Sequence, residues 1–224
     1  MHAKCDGLTS DDLKTISGQY PYERRVCIHT ADGGVYNYES AMNRLNTAAS
    51  FSIDHLRVMA KREKQLLPPL RLDHHQLDPA QHYIDFTALG YLEQNANKDF
   101  KTYQPLLTIG DGNCLFNVLS IGLCGAEYMC CEIKVHTCIE MACNELFYIM
   151  QNYLRDFLLC SPSFVDAVMN CAKIGAYSSA WTVQAAGDAL NCNINALYPK
   201  VNGPADYIAQ LLTRTRHSGL TIMD

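Results

Sequence analysis

The tetrapeptide Gly110-Asp111-Gly112-Asn113 forces a sharp change of chain direction, and Leu115, Phe116, Leu119 and Leu123 behind it fall at helical spacing. Leu106, Leu107 and Ile109 make a short apolar approach in front of it. A chain of this pattern has to enter a turn and leave it as a helix, which sets Cys114 near a helix N-terminus. Unpaired backbone N–H groups and the positive end of the helix dipole favour a thiolate there and can hold a developing oxyanion. Gly110 and Gly112 allow conformations and close approaches that a Cβ resists. Taken alone, a cysteine so placed is either a small buried apolar residue or a nucleophile.

Bulk properties narrow the classes. With 224 residues, 48% of them hydrophobic and 18% charged, the chain can bury a core. A formal net charge of −5 and the lack of any basic block longer than Lys61-Arg62-Glu63-Lys64 argue against nucleic acid as a partner. That short run reads as the solvated face of a helix. Eleven cysteines without an opening secretory pattern are expected to be reduced thiols of an intracellular protein, cytoplasmic or nuclear. Cys131, His136, Cys138 and Cys143 are the nearest approach to a metal set, but they fall within one helical pattern without a second ligand pair, so helix packing is expected and no metal or cofactor. No apolar run has the length of a membrane span.

The order of elements follows from periodicity and breakers. Residues 1–37 read as a partly ordered leader with one short strand at 25–29. A helical pattern runs over 40–67, broken near 50–54 and stopped by Pro68-Pro69. A short helix is expected over 80–94, with His74 and His75 in an exposed loop before it. Beyond the motif, 132–160 reads as a long helix or a broken pair, and 164–174 as a helix capped by Ser161 or Ser163 and closed by Gly175. Ser179 opens another helix, ending at Asn191. Strands are expected over 193–198 and 207–213. Helices between short strands imply an α/β or α+β layer, with helices packed around a small central sheet and a mainly helical N-terminal extension. The division is residues 1–100, accessory, and 101–224, bearing the motif.

The string Gly110-Asp111-Gly112-Asn113-Cys114-Leu115-Phe116 closely resembles the nucleophile motif of the ovarian tumour (OTU) cysteine proteases, most of which are deubiquitinases. The segment from Trp181 to Pro199 more weakly resembles the divergent OTU-like region of the vertnins. The OTU resemblance implies a thiol hydrolase with Cys114 as nucleophile, Asp111 as the motif carboxylate, ubiquitin or a ubiquitin-like protein as partner, and no cofactor. From its position, Asp111 either caps the helix and organises the loop or orients a histidine. The base is expected late in the chain, where His217 is the candidate; it lacks the aromatic residue that follows the family's histidine. The base is therefore His217 or a histidine beyond Asp224, and a non-catalytic OTU-like interaction module is the alternative. Asn117 stands where the family often has arginine.

Overall fold

The structure, a computed structural model, describes residues 36–70, 77–78, 80, 82–95, 103–150, 162–194 and 220–221. Its helices are α1 (Tyr38–Phe51), α2 (Ile53–Leu66), α3 (Phe86–Asn95), α4 (Cys114–Cys124), α5 (Cys130–Cys143), α6 (Glu145–Met150), α7 (Phe164–Ala172) and α8 (Ala180–Leu190). One residue makes the first break. Ser52 is fully extended, ends α1, and accepts the His55 N–H with its hydroxyl to start α2. Asn37, Ser163 and Ser179 cap α1, α7 and α8 in the same way, the last with a reciprocal capping box to Thr182.

α5 is the hub. It packs against α1, α2, α4, α7 and α8, and Ile133, Lys134, Val135, Thr137, Cys138, Ile139, Met141 and Ala142 are all buried. A helix buried around most of its circumference occupies the middle of a core instead of flanking it. Trp181 of α8 meets the Phe164 ring edge-on at 5.3 Å, and Phe164 stacks on Tyr148 at 5.4 Å, closing one end of that core. Leu45, Leu56, Phe116, Ile133 and Trp181 belong to one hydrophobic cluster, so helices from both sides of residue 100 share it.

The expected fold class, helices around a central sheet, is corrected by this arrangement. Among the described residues the fold is mainly helical, and its one ladder is a parallel pairing of two residues each, β1 (Cys192–Asn193) with β2 (Leu220–Thr221). The space that a central sheet would fill is taken by α5. The expectation rested on polar–apolar alternation over 193–198 and on 207–213. Only the first two residues of the former, Asn193 and Ile194, are described, and 207–213, like the strand expected at 25–29, lies outside the described residues.

The Lys61–Lys64 run also differs from expectation. Arg62 and Glu63 are 6% and 1% exposed, because their side of α2 faces the core, and Glu63 is held by Arg44 Nε at 2.6 Å, Arg44 Nη2 at 2.9 Å and the Tyr36 hydroxyl at 2.8 Å. Among the described residues no helix is long and apolar enough to cross a membrane.

Candidate functional site

The apolar approach is held before the turn begins. Leu106 bridges Ile84 in antiparallel fashion, with the Asp85 N–H donating to Pro105 O at 2.9 Å and the Leu107 N–H to Tyr83 O at 2.8 Å. The next stretch is pinned from α4 and its following turn: Asn117 Nδ2 donates to Ile109 O, and the Ile109 N–H to Glu127 Oε1. Asn117 is buried. Its amide therefore serves the loop.

The turn depends on two glycines of unequal kind. Gly112 is buried at φ +87°, and a Cβ there would stand 2.0 Å from Gly175 O. Gly175 has φ +73°, and its own Cβ would lie 3.3 Å from Asp111 O. The motif loop and the loop after α7 thus touch backbone to backbone at a point where only glycine fits. Gly110 has open space around it. The helix expected to close at Gly175 ends at Ala172 instead, and Gly175 belongs to the loop that meets the motif.

Asp111 is exposed and both its oxygens face Asn113: Oδ1 accepts the Asn113 N–H at 2.8 Å and Oδ2 the Asn113 Nδ2 at 2.9 Å. These bonds, first the side-chain and then the backbone one, hold the Asp111 carboxyl below the usual carboxylate range. Cys114 follows as the first residue of α4 and is half-buried. The Phe116 and Asn117 N–H groups both donate to Asn113 O. The N–H groups of Cys114 and Leu115 have no acceptor among the described residues, and Asn113, the N-cap, makes no side-chain cap. That leaves two donors at the nucleophile's own helix end.

Asn113 is diverted by a lysine that sequence reasoning missed. Lys134 of α5 is 3% exposed and donates to Asn113 Oδ1 at 2.6 Å and to Lys173 O at 2.8 Å. Its ammonium also lies 5.5 Å from the centre of the Phe116 ring. The signal in the sequence is a lone Lys between the apolar Ile133 and Val135. Beside it opens a cavity of about 280 Å³, lined by Glu39, Met42, Asn113, Cys130, Cys131 and Lys134 among others. Burial, then the Asp111 charge, pushes the Cys130 thiol up to about 11, and burial also raises Cys131. Both are held as thiols at neutral pH.

The described histidines are engaged elsewhere. His55 Nδ1 pairs with Ser52 Oγ at the start of α2, and His82 Nε2 lies 2.9 Å from Gly125 O, at the far end of α4 from Cys114. His136 is two residues from Lys134 on α5, hence on another face, and packs its ring 6.1 Å from that of Tyr38. His217, His74 and His75 lie outside the described residues. Among the described residues no three His, Cys, Asp or Glu side chains are placed to share a metal ion.

Comparison with known proteins places this geometry. The family model described as "Vertnin, OTU domain" matches residues 105–164, a span that contains the turn, Cys114 and all of α5. The matched span precedes the Trp181–Pro199 segment in which the weaker likeness was read. Vertnin of Danio rerio is 26% identical over 121 residues, covering 44% of this chain and 18% of the zebrafish protein. The chain thus spans less than a fifth of that relative's length. No solved structure matches it. The chain carries an OTU-like region resembling that of vertnin.

Proposed function

We propose that this protein is a thiol hydrolase cleaving the isopeptide or peptide bond after the C-terminus of ubiquitin or a ubiquitin-like protein, by attack on that C-terminal carbonyl. The observation that carries the reading is the opening of α4: a half-buried cysteine as first helical residue, with its own N–H and that of Leu115 without acceptors among the described residues. Cys114 Sγ attacks the carbonyl carbon of an isopeptide or peptide bond, and the two N–H groups hold the resulting oxyanion. His217 takes the thiol proton and returns it to the leaving amine. Water then cleaves the thioester and restores the thiol. Asp111 keeps the loop in shape through Asn113. Helices before residue 100 form one wall of the neighbouring cavity through Glu39 and Met42, in keeping with an accessory role for residues 1–100. Eight free cysteines among the described residues suit a reducing compartment, the cytoplasm or nucleus.

A second reading, a non-catalytic module that binds ubiquitin-like proteins, is favoured by one observation. Each Asp111 oxygen accepts a bond from Asn113, so the carboxylate's partners among the described residues are those of its own loop and none is a histidine.

Incubation with ubiquitin bearing a C-terminal propargylamide, read by intact mass, separates the two. The hydrolase reading expects a one-to-one covalent adduct that is lost in Cys114→Ala and slowed in His217→Ala. Reversible binding of ubiquitin without an adduct selects the module, and no binding at all removes both.

A further inference from the structure

At four other described helix starts an Asn or Ser at the N-cap uses its side chain as a cap: Asn37, Ser52, Ser163 and Ser179 each accept an N–H of the first turn. Asn113 has the same chemical capacity and does not. Its Oδ1, the atom that would cap α4, is bonded to Lys134 Nζ at 2.6 Å, while its Nδ2 is bonded to Asp111. The lysine is an unusual partner. It is almost fully buried, its two hydrogen-bond acceptors are neutral, and no carboxylate among the described residues lies within ion-pair distance. Taking an ammonium out of water without a counter-charge is unfavourable. Setting a cation by a helix N-terminus adds to the positive end of the dipole, which is also unfavourable for the helix. Both features run against stability, and both favour negative charge at the Cys114 end of α4. The charged groups nearby are Asp111 on the loop, Glu127 behind Ile109, Glu39 across the cavity and the exposed Lys173 on α7's end.

We propose that Lys134 is a positioning residue for the reaction at Cys114: it draws the Asn113 side chain off the helix end, so that Oδ1 does not cap the Leu115 N–H, which stays open for an anion beside the Cys114 N–H. The inference rests on the reading of Cys114 as nucleophile. Lys134 touches no reacting atom; it acts through Asn113 and through its charge.

The test uses the full chain as wild type, Lys134→Met and Lys134→Met combined with Asn113→Ala. Three quantities are measured: Tm, the alkylation rate of Cys114 by iodoacetamide resolved by peptide mass spectrometry, and kinact and KI for the ubiquitin propargylamide. In Lys134→Met the released Asn113 caps α4, so alkylation and kinact fall about fivefold while KI changes little and Tm holds or rises. Removing the cap with Asn113→Ala restores part of the lost rate. Unchanged alkylation in Lys134→Met overturns the proposal, as does a large fall in Tm, which would mark the lysine as a structural strut. If the wild type fails to capture ubiquitin, the hydrolase reading falls, yet alkylation and Tm still decide the role of Lys134.

Discussion

Glu63 and Lys134 are both buried charges on central helices, but they are treated in opposite ways. Glu63 has a guanidinium on two atoms and a phenol on one of its oxygens. The phenol of Tyr36 is in turn pushed far up, first by burial and then by the Glu63 charge, so it stays a donor. Lys134 has two neutral acceptors and a ring face. The helix ends around them differ likewise: Asn37 and Ser52 cap α1 and α2, whereas Asn113 leaves α4 open. On the α1–α2 side the buried charge and both helix starts have side-chain partners, whereas at the motif the buried charge has no counter-charge and the helix start no side-chain cap among the described residues. Unsatisfied groups held in place by a satisfied frame are what a reactive site requires.

The largest effect expected from testing this contrast is at Gly112. Gly112→Ala requires a left-handed φ with a Cβ and places that carbon on the Gly175 backbone, so a loss on the order of 4 kcal/mol is expected in urea unfolding, together with loss of Cys114 reactivity. Gly110→Ala, with open space around it, is the control and should stay within about 0.5 kcal/mol. A mild Gly112→Ala would mean that the two loops do not need their backbone contact.

Next in size is Glu63→Ala, which strands Arg44 and Tyr36. About 3 kcal/mol of stability should be lost, opposite in sign to or well beyond anything that Lys134→Met does. Equal losses at the two positions would erase the comparison between a paired and an unpaired buried charge.

A further test concerns acid. His136 has a buried, unpartnered Nε2, and burial lowers it to about 4 from 6.5. Its folded-state value is depressed, so the unfolded chain binds the extra proton between pH 6.5 and 4. Its contribution is complete above pH 6.5 and is lost as pH falls through that window. Tm should therefore decline from pH 6.5 to 4, and His136→Phe should flatten the decline. Asp111 also has a lowered value, but it titrates below this window. An unaltered slope in His136→Phe would assign the acid sensitivity to other groups.

Local signals reproduced local structure well. The helix break near residue 52, the cap at Ser163 and the span from Ser179 to Asn191 are all set by side chains that act within one turn of themselves, whereas α7 ends at Ala172, before the stop expected at Gly175. The position of Cys114 at a helix start is of the same kind. The central sheet was misread because alternation in a few residues does not say which element will fill a core. The burial of Arg62 and Glu63 was misread because a charged run looks solvated until Arg44, 19 residues from Glu63, is brought to it.

By itself the sequence determined where the chain turns, where helices begin, and that one cysteine stands on the turn, since glycine conformations, caps and apolar spacing are short-range properties. Only the tertiary structure decided that α5 would run through the core with a lysine inside it, and that Gly112 would meet Gly175. It also decided that Asn113 would turn away from its helix. The physical reason is that a buried charge or a backbone contact has its partners chosen by packing across long separations, and no spacing rule along the chain encodes them.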